Sequence, residues 1–166
     1  MNNQALLDEA EKLLKPFSIR IDTPANQSNR IDFYIKPDDI KSAVRTLYEA
    51  QWGYLITISA YDSIDESGTP IIGLVYHFAN ESVLVSIRFS IPHTNRTIDT
   101  ICDIIPSATL YERECMELFG IEIKGTPNKD KLILPDDWPD GVYPLWKSFK
   151  GLTSDGKWST EAKESK

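Results

Sequence analysis

Cysteine is scarce in this chain of 166 residues: Cys102 and Cys115 are the only two, and neither stands in a Cys-x-x-Cys pair. An iron–sulfur cluster or a structural zinc needs about four thiolate or imidazole ligands. Adding His77 and His93 reaches that number, but the spacing fits no such site. Buried free thiols in a reducing compartment are expected instead. Basic residues are also short, 18 Lys+Arg against 25 Asp+Glu, for a formal charge of −7. Polyphosphates are held by clustered cations that displace counterions, which argues against nucleic acid as a partner. Long apolar runs are missing. Stretches such as Ile71–Val75 fall far short of the ~18–20 residues of a membrane span, and Met1–Glu9 lacks the basic-then-apolar order of a secretory signal. Neither a phosphate-binding glycine string nor G-x-S-x-G occurs. The chain is expected to carry no cofactor of its own.

What is present suffices for one domain with a real core, since 41% of the residues are hydrophobic. Leu6, Ala10, Leu13 and Phe17 recur at helical spacing and predict a first helix from about Gln4 to Phe17, closed by Pro16. Thr23–Asn29 reads as a loop, and Ile31, Phe33 and Ile35 alternate as a short strand. A second helix begins at Asp38 or Asp39, whose carboxylates can cap it. It buries Ile40, Ala43, Val44, Leu47 and Ala50 and ends at Gly53.

Three strands follow, at about Tyr54–Asp62, Pro70–Phe78 and Val83–Ile91, with short polar connections that predict antiparallel hairpins. In the third, Val83 to Ile91 alternates between a packed face and a mostly solvated one. Ile98, Ile101, Cys102 and Ile105 form a further helical stripe, and a last helix spans about Ala108 to Phe119 with Gly120 as its cap. The fold class is α+β: a mixed sheet with a three-strand antiparallel meander covered by helices, then an extended irregular C-terminal segment. The expected domains are residues 1–124 as the α+β body, 125–150 as the extended segment and 151–166 as a mobile polar tail.

The segment after Gly125 combines Pro127, Pro135, Pro139 and Pro144, which forbid regular helix, with Leu132, Ile133, Leu134, Trp138, Leu145, Trp146 and Phe149. A disordered linker would be poor in such groups, so these side chains must be buried against the chain's own domain or another chain. Two constellations carry possible chemistry. In Tyr111–Gly120, Glu114 and Glu117 share a helix face and Arg113 stands four residues before Glu117, ready to pair with it. In Leu134–Pro139, Asp136 and Asp137 could contribute to a hard-cation site with Asp140, although aspartates in such a loop more often shape a turn. An acid-base enzyme using Glu114, Glu117, Asp136 or Asp137, for example on a glycoside, is the alternative from another class.

Together, Glu112-Arg113-Glu114-x-x-Glu117-Leu118-Phe119-Gly120-Ile121, Gly125-x-Pro127, Leu134-Pro135-Asp136-Asp137-Trp138 and Pro144-Leu145-x-Lys147 resemble the signature of the hydrophilic 30 kDa subunit of respiratory complex I. Related subunits of membrane-bound group 4 [NiFe] hydrogenases and F420H2 dehydrogenases share it. The resemblance implies a non-catalytic subunit on the cytoplasmic side of the membrane, docked on the hydrogenase-large-subunit-like chain, which its extended segment 125–150 wraps. Iron–sulfur clusters, with NiFe in the hydrogenase branch, would sit in partner subunits, and the membrane arm would be touched only indirectly. It implies a partner interface of Glu112, Arg113, Glu114, Glu117, Phe119, Gly120, Pro127, Pro135, Asp136, Asp137, Trp138, Pro144, Leu145, Trp146 and Lys147. Complex I members typically carry His where Thr126 stands, Leu-Arg-Arg where Lys129-Asp130-Lys131 stands, and Arg where Trp146 stands. Forked guanidinium contacts are therefore lost, which favours the hydrogenase-like branch over a quinone- or phenazine-reducing one.

Overall fold

The computed structural model describes residues 2–151 and the backbone of 152 and of 158–160. Most of the polar tail expected over 151–166 lies outside the described residues. Helix α1 runs Asn3–Leu14, its first turn capped by Asn2, whose Oδ1 accepts from the Gln4 amide at 3.2 Å. It stops short of the predicted end at Phe17 because Pro16 lies in a 3₁₀ turn, Lys15–Phe17. The next five residues, Ser18–Asp22, form strand β1, which the sequence pattern leaves unassigned. Its outward Ile19 is 68% exposed, so no clean inside–outside alternation marks it.

Strand β2, Arg30–Ile35, buries Ile31, Phe33 and Ile35 as predicted. A 3₁₀ turn at Pro37–Asp39 leads into α2, Ile40–Glu49. Two expectations for α2 need correction. No side chain caps its start: Asp39 is itself helical in backbone angle and makes no capping bond. Its end is set by Gln51, at φ 54°, with Trp52 N–H donating to Leu47 O at 2.9 Å and Gln51 N–H to Tyr48 O at 3.0 Å. This is a Schellman closure with Gln in the left-handed position. Gly53 has another task. It too is left-handed, and a Cβ there would collide with the carbonyl of Ala79.

The meander is β3 (Tyr54–Ile64), β4 (Pro70–Asn80) and β5 (Val83–Pro92). The sheet order is β1-β2-β5-β4-β3, antiparallel throughout except for the β2–β5 pair. One face carries Phe33, Ile58, Leu74, Tyr76, Val85 and Ile87 into a core shared with all three helices. Trp52 closes the α1–α2 side, buried, with its indole N–H on Leu6 O at 3.2 Å.

The helix predicted from Ile98 to Ile105 is not there. Thr97–Asp99 is a short strand, β6, paired in parallel with β7, Glu122–Lys124. Turns occupy 102–104; Ile98 is buried from β6, and Ile101, Cys102 and Ile104 from irregular positions. Helical spacing arose from residues that reach one core by different backbone routes. Helix α3 covers Thr109–Phe119 and is closed by left-handed Gly120, as expected. A small antiparallel pair, β8 (Phe149–Leu152) and β9 (Trp158–Thr160), follows the irregular segment.

Candidate functional site

Helix α3 organises the surface formed with the C-terminal segment. Its inward face buries Glu112, Cys115, Leu118 and Phe119. Glu112 has no exposed surface. One carboxylate oxygen accepts from Ile101 N–H (2.8 Å) and the other from the Cys102 thiol (3.2 Å), while the Thr100 hydroxyl lies within 2.7–3.0 Å of both. These donors replace the water a buried carboxylate loses, and they fasten the loop after β6 to α3. Both thiols are buried and free. Burial pushes Cys102 up to about 11 and Cys115 up to about 12, Glu112 adding to the shift at both and Glu114 at Cys115.

The outward face of α3 holds the segment by its backbone. Arg113 donates from Nε to Asp130 O and from Nη2 to Lys131 O, both at 2.8 Å. Glu117 accepts the N–H groups of Leu132 (2.8 Å), Ile133 (2.6 Å) and Leu134 (3.4 Å). The expected Arg113–Glu117 pair does not form, because each side chain is committed to segment backbone. The segment then closes on itself: Lys131 Nζ donates to Asp136 O (2.9 Å) and Trp138 O (2.7 Å), and the Trp138 indole to Val142 O (2.8 Å). A cavity of about 330 Å³ lies between the loop and α3, bordered by Arg113, Met116, Leu134, Trp138, Val142 and Tyr143.

A second fastening lies at the C-terminal end of α3, where backbone carbonyls lack helical partners. Leu118 O accepts from Leu145 N–H (3.3 Å), Phe119 O from the Trp146 indole (2.9 Å) and Gly120 O from Arg96 Nε (2.8 Å). The Tyr143 ring rests on Gly120, where any Cβ would clash. Arg96 lies 5.0 Å from the Trp146 ring centre and 5.5 Å from that of Tyr143. His93 packs on Trp146 at 4.5 Å between ring centres and contacts Asp62 Oδ1 at 2.7 Å, while Asp62 Oδ2 accepts from Lys147 N–H at 2.7 Å.

A family model for the 30 kDa subunit of respiratory-chain NADH dehydrogenase matches residues 33–154. The chain belongs to this family. A subunit of the F420H2 dehydrogenase of Methanosarcina mazei is 32% identical over 128 residues, 74% of this chain and 77% of the relative. The beta subunit of the membrane-bound hydrogenase of Pyrococcus furiosus is 37% identical over 79 residues, 48% of this chain and 46% of that protein, so this match spans less than half of the relative. Among solved structures, a chain of the membrane-bound sulfane sulfur reductase, an archaeal respiratory membrane complex, superposes with a TM-score of 0.72 at 22% identity. That superposition covers 90% of this chain and 86% of the other, and the likeness is one of fold.

In this 30 kDa-family chain, the signature residues gather around α3. Arg113, Glu117, Phe119, Gly120, Trp138, Leu145, Trp146 and Lys147 all take part in the fastenings through side chain or backbone. Glu112, expected at a partner interface, has no exposed surface in this chain and spends its carboxylate on the loop after β6. Glu114 makes no hydrogen bond among the described residues, and Pro127, Pro135, Asp136 and Asp137 are exposed, with Pro144 half-buried. No group of three or more metal-ligand side chains converges among the described residues. Sequence patterns do not reveal Asp62, Arg96 and His93. Asp62 stands 85 positions from its partner Lys147 and Arg96 stands 24 from Gly120, and no local pattern links them.

Proposed function

We propose that this chain is a non-catalytic subunit of the peripheral arm of a membrane-bound, ion-translocating oxidoreductase. It docks on the hydrogenase-large-subunit-like chain at the cytoplasmic face and steadies the module whose partner subunits hold the iron–sulfur clusters. Family membership and the names of its relatives support this reading. No helix among the described residues is long and apolar enough to cross a membrane, as suits an attached subunit. The observation that carries it is a set of apolar side chains the fold does not use. Leu132, Ile133 and Leu145 remain 41%, 57% and 50% exposed, on a segment whose backbone is pinned. Pinned apolar groups cannot retract from water, so a covering partner is the physical outlet.

The segment therefore presents a surface ready-made on its own α3, rather than wrapping a partner as a free strap. The hydrogenase-like branch is favoured by the signature's lost arginines. Substituting Ile133→Asp and Leu145→Asp together tests docking, because both side chains face water and the isolated chain should melt unchanged. The expected result is loss of the subunit from the purified complex and a matching loss of activity. Full retention with full activity would rule the role out. Mass spectrometry of the companions separates the branches: a large subunit with nickel-binding cysteines supports the hydrogenase type, and one lacking them the quinone or phenazine type.

A further inference from the structure

The sheet face opposite the core is not covered by any helix among the described residues, and it has a distinct composition. Register places Asp22, Asp32, Ser86, His77 and Thr57 in one row across the five strands. The next row is Arg20, Tyr34, Arg88, Val75 and Ser59, and beyond it lie Ser90, Gly73 and Tyr61. Asp32, Ser86 and Val75 in these rows are buried. Ser59 and Ser90 are exposed, and the Tyr61 ring lies on Gly73. Tyr54 and Tyr61 at the β3 rim are 65% and 47% exposed.

Charge on this face runs against that of the chain. Arg20, Arg30 and Arg88 stand against Asp22 and Asp32, in a protein of net charge −7. Burial, with Arg30 and Arg88 nearby, holds the His77 imidazole below its usual range, so it stays neutral near pH 7 and leaves the arginine excess standing. Arg30 is spent: Nε and Nη2 grip both oxygens of Asp32 (2.7 and 3.0 Å), and Nη1 reaches Gln27 Oε1 (2.9 Å). Arg20 stacks over Tyr34 and pairs with Asp22 at 2.7 Å. Arg88 differs. It sits on β5, the central strand, and only its Nε is engaged, on Asp32 Oδ2 at 2.7 Å. Neither terminal amino group has a hydrogen-bond partner among the described residues, and the side chain is 23% exposed.

We infer that this open sheet face is a second docking surface, for a protein partner presenting a carboxylate to Arg88. A guanidinium with its terminal pair free is a fork matched to a carboxylate, and Arg with Tyr is the composition of interface hot spots. The acidic balance of the chain disfavours nucleic acid and anionic lipid. The inference rests on the reading of this chain as a subunit of a complex, but the surface shares no residue with the α3 segment, so loss of the Ser59 adduct and loss of docking through Ile133 and Leu145 are separate results.

The test uses the full chain in the complex purified from its native cells. Ser59→Cys, on the exposed part of the face, is labelled with a benzophenone maleimide; the two native thiols are buried and spared. The expected result is a photo-adduct with a partner subunit on a peptide containing Asp or Glu. Its yield should fall about tenfold when Arg88→Gln is added. Adducts confined to copies of this chain, adducts with lipid alone, no adduct, or a yield unchanged by Arg88→Gln would each overturn the inference. Should Arg88→Gln fail to fold, adding Arg20→Glu to the labelled chain serves in its place, because that side chain is exposed; an unchanged adduct yield then counts against the surface equally.

Discussion

Glu112 carries no exposed surface and no cation beside it among the described ion pairs, yet it holds Thr100, Ile101 and Cys102 by hydrogen bonds. Glu112→Gln keeps the shape but replaces one acceptor oxygen with an N–H₂ facing other donors. An orphaned buried donor costs about 1–3 kcal/mol, so the urea midpoint should drop with little change in slope. An unchanged midpoint would show that the carboxylate does not hold the loop. The two thiols give a separate pH signature. Their folded values, about 11 and about 12, lie above the ~8.5 of an unfolded cysteine. Below that value both states keep their protons and pH has no leverage. Above it the unfolded chain ionises first, so stability should fall progressively from about pH 8.5 up to the folded values of about 11 and about 12. Cys102→Ala with Cys115→Ala should flatten that slope in urea titrations; a slope of the same steepness would assign it elsewhere.

Helix α3 and the segment below it hold together through backbone groups, and this decides which variant reveals the arrangement. Glu117→Ala removes the acceptor for three consecutive amides. Hydrogen exchange at Leu132, Ile133 and Leu134 should accelerate by orders of magnitude in the isolated chain, while amides of β4 and β5 keep their protection. Fast exchange at those three amides in the unmodified chain would mean that the segment is ordered only by a partner. Much of this is legible in the residues alone. The span of α3, its Gly120 stop and the proline-broken apolar segment all follow from local rules, and the signature locates them. What stays hidden depends on partners distant in sequence. The parallel pairing of Thr97–Asp99 with Glu122–Lys124 overrides a stripe that reads as helix. The inward turn of Glu112 is dictated by the Ile101 amide, the Thr100 hydroxyl and the Cys102 thiol, and no residue pattern announces it. Asp38 and Asp39 occupy ideal capping positions, but a 3₁₀ turn uses them instead.

Taken whole, the molecule has one core on one side of a five-stranded sheet, and the C-terminal segment is part of it. Leu134 and Trp146 pack against that core, and the segment supplies donors to Leu118 O and Phe119 O, which α3 cannot satisfy alone. A chain ending at Lys124 would expose those carbonyls, uncover Gly120 and lose the Trp146 contacts with His93 and Arg96. Losses of this kind sum to about 2–5 kcal/mol, a large share of the ~5–15 kcal/mol of an ordinary domain. If body and segment unfold as one cooperative unit, the truncated chain should show a lower urea midpoint. Its slope should also be shallower, since less surface is released on unfolding. If the segment were an independent strap that settles only on another subunit, both quantities would match those of the full chain. The same measurement decides how assembly defects are to be read. With a cooperative segment, deletions beyond Gly125 weaken the body as well as the docking surface, and only exposed substitutions such as Ile133→Asp isolate the contact with the partner.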